Sequence, residues 1–238
     1  MQPSGAPELS MFSRRPYQRH NRGRVSGGAP QAPGPTQPSS GFGYWDVLNA
    51  TDDGSGKASV LVDAVGANSI TQAVVSSRAT ISAAAGPGGG PALSFDGGDY
   101  YVKAYSRNQP TSRICLAKFT VPTTTLFDGA TLNTGRLYGA TTSVATYAGT
   151  AGPTGATTLT DWHVYRVDFN ATNTQLFIDG VLKATGNAGV ANPGGITIGA
   201  AGPGSANQLV GLICFQVECD IADAADWDLY GGTLHGFY

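Results

Sequence analysis

Histidine is rare in this 238-residue chain and widely scattered, at His20, His163 and His235. No G-x-S-x-G or H-E-x-x-H pattern occurs, so the common serine-hydrolase and zinc-protease signatures are missing. Three cysteines, Cys115, Cys214 and Cys219, cannot all pair within one chain, and none stands at C-x-x-C spacing. They read as reduced, buried thiols rather than a redox or metal centre. No apolar run approaches the ~18–20 residues that span a bilayer, and the N-terminus lacks a signal-peptide core. Synthesis in a cytoplasm and no membrane partner are expected. Charged residues make up only 13% of the chain, and no internal repeat is found.

What is abundant is turn chemistry. With 34 glycines and 14 prolines, the chain carries more helix breakers than a helical fold tolerates. Composition shifts once, near residue 41, which predicts an appendage over 1–41 and one domain over 42–238. The first segment holds seven prolines and five arginines with only scattered apolar residues, too few to bury a core. At ~3.3 Å per residue it could extend about 130 Å as a basic arm. Five Arg and Glu8 give this segment +4; the remaining nine basic and fifteen acidic residues give −6. Arg14, Arg15, Tyr17, Arg19, Arg22 and Arg24 are therefore candidate partner-binding residues. Acidic protein surfaces are preferred to nucleic acid as their target, because a single tyrosine makes no stacking platform.

After residue 42, short apolar runs alternate with Gly, Asn, Asp and Pro. His163, Tyr165, Val167 and Phe169 recur every second residue with Arg166 and Asp168 between them, which predicts a half-buried strand. Gln175 to Ile178, then Asp179-Gly180, then Val181 to Lys183 predicts a hairpin with a two-residue turn. Ile196 to Ile198 and the alternating set Ile213, Phe215 and Val217 give further strands. Leu93, Phe95 and Tyr100 to Val102 flank the turn Asp96-Gly97-Gly98-Asp99. One short helix is expected after Asp220, with Gly231-Gly232 as its stop.

These landmarks resemble, in order, the concanavalin A-like lectin/glucanase superfamily, especially its laminin G-like jelly-roll modules of bacteriophage and bacterial surface proteins. The resemblance covers most of residues 43–235. It rests on Ala64 to Gln72 with Gly90-Pro91-Ala92-Leu93-Ser94-Phe95-Asp96-Gly97, on Trp162-His163 with Leu176 to Gly180, and on Ile198-Gly199 through Gly211-Leu212-Ile213. It implies an all-β, antiparallel jelly-roll β-sandwich behind an extended N-terminal arm, with a short C-terminal helix.

Glucanases of that superfamily use two close carboxylates. This chain has only Glu8 and Glu218 as glutamates, and Glu218 reads as following the last core strand, with Asp220 as a helix N-cap. No catalytic residue is assigned, and the chain is expected not to be an enzyme. Some laminin G-like modules bind calcium through Asp, but Asp52-Asp53 and Asp96/Asp99 read as turn caps, so neither metal nor cofactor is expected. The loop Gly86 to Gly90 lacks a following Lys-Ser/Thr and reads as a connector.

Of the aromatics Tyr100, Tyr101, Tyr105, Tyr138, Tyr147 and Trp162, the candidates taken for stacking on a glycan are Tyr100, Tyr101, Tyr105 and Trp162. The function expected is that of a virion structural protein, a capsid decoration, cement or fibre-base subunit on the capsid surface. The arm would hold it to the major capsid protein or other virion subunits, with homo-oligomerisation adding avidity. The alternative is a glycan-binding adhesion module on a virion or cell surface.

Overall fold

A computed structural model describes residues 37–38, 41–204 and 206–237. Arg14, Arg15, Tyr17, Arg19, Arg22 and Arg24 lie outside the described residues. Among the described residues the alternating segments form seventeen strands. In chain order these are β1 (Gly43–Asp46), β2 (Thr51–Asp52), β3 (Ala58–Leu61), β4 (Ile70–Thr71), β5 (Thr80–Ser82), β6 (Ala92–Asp96), β7 (Tyr101–Ala104), β8 (Thr111–Phe119) and β9 (Thr125–Asp128). They continue as β10 (Arg136–Gly139), β11 (Ser143–Tyr147), β12 (Ala151–Ala156), β13 (His163–Phe169), β14 (Thr174–Ile178), β15 (Val181–Gly186), β16 (Gly195–Ile198) and β17 (Val210–Cys219).

The larger sheet runs β15-β14-β13-β8-β17-β6-β5, with β1 also paired to β17. A six-stranded sheet runs β12-β11-β10-β9-β16-β7, and β2 to β4 form a small third sheet. All pairings are antiparallel, and the two large sheets form a sandwich. Its core includes Phe95, Tyr101, Phe119, Phe127, Tyr165, Val167, Phe169, Leu176 and Ile198. The turn at Asp96 to Asp99 passes the chain from one large sheet to the other.

The Asp179-Gly180 hairpin forms as its turn chemistry predicts, with φ of 54° and 72° at the two turn residues. The strand at His163–Phe169 departs from expectation: it is buried on both faces. Val164 belongs to a second apolar cluster, with Tyr44, Ile114, Leu116, Phe215, Val217 and Trp227, on the outer side of the larger sheet. The set Ile213, Phe215, Val217 does not share one face either. A bulge at Cys214 leaves Ile213 in the inter-sheet core and turns Phe215 and Val217 to the second cluster.

What covers that outer cluster is α1 (Ala224–Leu234), preceded by a 3₁₀ turn over Ile221–Asp223. Trp227 is fully buried, its ring centroid 5.2 Å from that of Tyr44. The expected stop at Gly231-Gly232 does not occur; the helix runs through both, and both are buried. A Cβ on Gly231 would lie 2.2 Å from the Phe215 ring, so this glycine serves close packing rather than termination. His235 Nε2 lies 3.0 Å from the Asp46 carboxylate, which also accepts from the Tyr44 hydroxyl, tying the helix end to β1. All three cysteines are free and buried.

Candidate functional site

With α1 covering the middle of the larger sheet's outer face, over β8, β13 and β17, the outer face of the six-stranded sheet remains to be read. Side chains two apart on a strand share a face, and on β10 this places Arg136 and Tyr138 outward while Leu137 enters the core. Register brings Tyr147 of β11 directly opposite Arg136, and Thr125 of β9 opposite Tyr138. Together with Thr123, Asn133, Gly139, Ala140 and Asn207 these residues, Thr125 excepted, line a hollow of about 370 Å³. That volume falls within the range of roughly 300–1,000 Å³ common for small-molecule sites.

Arg136 is held from three sides. Its Nε donates to Thr125 Oγ1 at 2.9 Å and its Nη1 to Asn133 Oδ1 at 3.2 Å, while its guanidinium carbon sits 4.5 Å from the Tyr138 ring centroid. Nη2 makes no hydrogen bond among the described residues. Burial lowers the Arg136 pKa, and nearby Asp128 and Tyr138 oppose that shift. Asp128 itself is committed to backbone: Oδ1 accepts from Gly129, Thr134 and Gly135, and Oδ2 from Asn133 and Gly202. It thereby fixes the loop that presents Asn133.

The rim is conformationally unusual. Thr123 (φ 66°), Asn133 (φ 61°) and Asn207 (φ 49°) are three of only five non-glycine residues at positive φ among the described residues, and all three line this hollow. For a β-branched threonine the left-handed region is costly, on the order of 1–3 kcal/mol. Strain of this kind persists where surrounding bonds over-determine it, and such bonds hold the two asparagines. Asn133 N donates to Asp128 and its carbonyl accepts from Gly149 N; the Asn207 carbonyl accepts from Thr125 N at 2.8 Å.

The four aromatic candidates do not assemble. Tyr101 is fully buried with its hydroxyl donating to the Ala58 carbonyl, so it is a core residue and not a sugar platform. Tyr105 turns its hydroxyl to Glu218 and lays its ring against Phe42. Tyr100 packs beside Gly204, and half-buried Trp162 joins the outer cluster. Arg136, Asn133, Asn207 and Thr123 had no place in the sequence reading; Tyr138 and Tyr147 did, as aromatics without an assigned role.

Glu218, Asp220, His163, Asp52 and Asp53 each have partners within the fold. Glu218 lies within β17, not after it, and is fully buried against Arg113, whose guanidinium also donates to the Gly135 and Gly195 carbonyls. Asp220 instead faces outward and pairs with Arg107 at 2.7 Å. His163 Nδ1 lies 2.7 Å from Asp179 and Nε2 lies 2.9 Å from Thr157 Oγ1, which locks the loop before β13 to the β14–β15 turn. Burial is the largest influence on the His163 pKa and lowers it, but Asp179 more than offsets this and the net shift is upward. Asp52 and Asp53 accept from backbone N–H groups of their own turn.

No protein-family model and no curated protein matches the chain. Solved structures do match. Trypanosoma rangeli sialidase in complex with 2,3-difluorosialic acid aligns with a TM-score of 0.57 at 14% identity, over 82% of this chain and 33% of the other. The same sialidase in complex with sialic acid gives 0.57 at 13% identity, with the same coverage. An arabinofuranosidase complexed with arabinofuranosyl-alpha-1,2-xylobiose gives 0.56 at 12% identity, over 74% of this chain and 51% of the other.

The likeness is one of fold. This chain spans about a third of the sialidase chains and half of the arabinofuranosidase. The expectation that it is not an enzyme is corrected by these matches, because its sandwich recurs inside chains that are enzymes. The missing glutamate pair removes one hydrolytic geometry and does not exclude others.

Proposed function

We propose that this chain is a carbohydrate-binding module, a concanavalin A-like sandwich that receives a sugar in the hollow between Tyr138 and Tyr147. The carrying observation is convergence: two half-buried tyrosines, an arginine with uncommitted donors and three left-handed rim residues meet on one concave face. Sugar rings present apolar C–H faces that pack on aromatic rings, and their hydroxyls take up amide and guanidinium groups. The Asn207 amide and both tyrosine hydroxyls make no hydrogen bond among the described residues, so they are open to such a ligand. Neighbours of the same fold are a sialidase and an arabinofuranosidase solved with sugars bound, which supports this reading.

Attachment to a virion through residues 1–41 becomes the second reading. It rests on the charge contrast of +4 against −6 between arm and body, and on no described residue. Glycan-array capture by the full chain, followed by calorimetry with Tyr138→Ala and Tyr147→Ala, tests the carbohydrate reading. Each variant is expected to bind at least about tenfold more weakly, the equivalent of about 1.4 kcal/mol. Failure to capture any glycan, or variants that bind as the parent does, overturns it.

A further inference from the structure

We propose that the sugar received by this hollow is acidic, and that Arg136 takes its carboxylate. The inference rests on the carbohydrate reading above and adds the chemical class of ligand. Among the eight residues lining the hollow, Arg136 is the single charged one; none is Asp or Glu. The hollow is therefore a cationic spot on a body whose net charge is −6. Asp128, the carboxylate acting on Arg136, is fully buried and its oxygens accept five backbone N–H groups, so it makes no direct hydrogen bond to the guanidinium among the described residues.

The orientation of Arg136 narrows the chemistry further. Nε and one Nη1 bond are spent on Thr125 and Asn133, which hold the plane of the group, and Tyr138 covers one face. What remains for a ligand is the terminal edge, with both N–H bonds of Nη2 uncommitted. A planar oxyanion approaching in the guanidinium plane matches that edge. A neutral hydroxyl would use it less well, because it offers one acceptor oxygen and no opposite charge, whereas a carboxylate can accept in bidentate fashion and pair with the guanidinium charge. Tyr147, across the strand pair from Arg136, is placed to pack the sugar ring that carries the acid.

The test uses the full chain with two probe pairs in which the same saccharide carries a free or a neutralised carboxylate: sialyllactose against its methyl ester, and trigalacturonic acid against its trimethyl ester. Wild-type protein is expected to bind at least one acidic member about ten- to a hundredfold more tightly than its neutral partner, with a preference that weakens as salt rises. Arg136→Gln is expected to abolish the preference while retaining weak binding to both members, and Arg136→Lys to keep part of it. Sulfated lactose as a third arm separates a carboxylate site from a general anion site; stronger binding of the sulfate overturns the assignment to carboxylate. Equal binding of acidic and neutral members overturns the inference and leaves the carbohydrate reading intact, whereas binding of no saccharide removes both. If Arg136→Gln does not fold, Arg136→Lys decides the question: a preference as strong as the wild type's overturns the role of Arg136, because the five arginines of residues 1–41 would then account for it.

Discussion

Replacing Gly231 with alanine sets two physical effects against each other. Helix propensity alone favours Gly→Ala in a helix interior by about 1 kcal/mol. At this position the added Cβ would stand 2.2, 2.5 and 2.6 Å from three atoms of the Phe215 ring, about 1 Å inside the ~3.5–4.0 Å optimum for carbon contacts. Phe215 has nowhere to retreat: it is fully buried, with His235 stacked at 5.8 Å and Tyr44 at 6.1 Å. Overpacking costs about 1–3 kcal/mol, and contacts this close with no room to relax belong at the upper end, so the net expectation is a loss of about 2 kcal/mol. For a domain of this size that lowers Tm by roughly 4–8 °C. Urea titration and calorimetry of Gly231→Ala would measure it, and adding Phe215→Leu should recover part of the loss through coupling of the two sites. An alanine variant more stable than the parent by about 1 kcal/mol would refute the seating of α1 on Phe215.

Two further perturbations address buried charge. Asp99 is 1% exposed, its Oδ1 has no partner, and burial pushes its pKa from 3.8 up to about 6. Below pH ~4 it is protonated in both folded and unfolded states; above ~6 the folded state carries the full cost of the buried charge, so this group's contribution to stability falls as pH rises between them. The shift corresponds to about 3 kcal/mol. Asp99→Asn should therefore be the more stable protein at pH 7 and flatten the profile between pH 4 and 6.5; an unchanged profile counts against the assignment. Glu218→Gln leaves the fully buried Arg113 without its counter-charge, although two carbonyls still hold the guanidinium. A loss of about 2–4 kcal/mol in urea unfolding is expected, and a neutral result would contradict the network.

Features set by local chemistry were legible in the sequence, and those set by long-range packing were not. Asp179-Gly180 announces its hairpin because positive φ is a property of the turn residues themselves. The bulge at Cys214 has no such marker, so strict alternation through Ile213, Phe215 and Val217 points to the wrong face. Gly231-Gly232 reads as a helix stop until Phe215 is seen beneath it. Glu218 looks like a solvent residue at a strand end because its partner, Arg113, lies 105 positions away. Of the candidate site, Tyr138 and Tyr147 were visible in the sequence as aromatics; that Arg136 shares a face with Tyr138 follows only once β10 is placed. The rest depends on pairing of β10 with β11, and on Asn207 arriving from a distant loop.

The central claim is that ligand enters the hollow on the six-stranded sheet, and mapping of chemical-shift changes in isotope-labelled protein on addition of a captured saccharide tests it most directly. The account predicts the largest changes at Asn133, Arg136, Tyr138, Tyr147 and Asn207, with the opposite face around Trp227 silent. Changes centred on Tyr100 and Trp162, or on the threonine-lined groove of Thr120, Thr141 and Thr157, would contradict it.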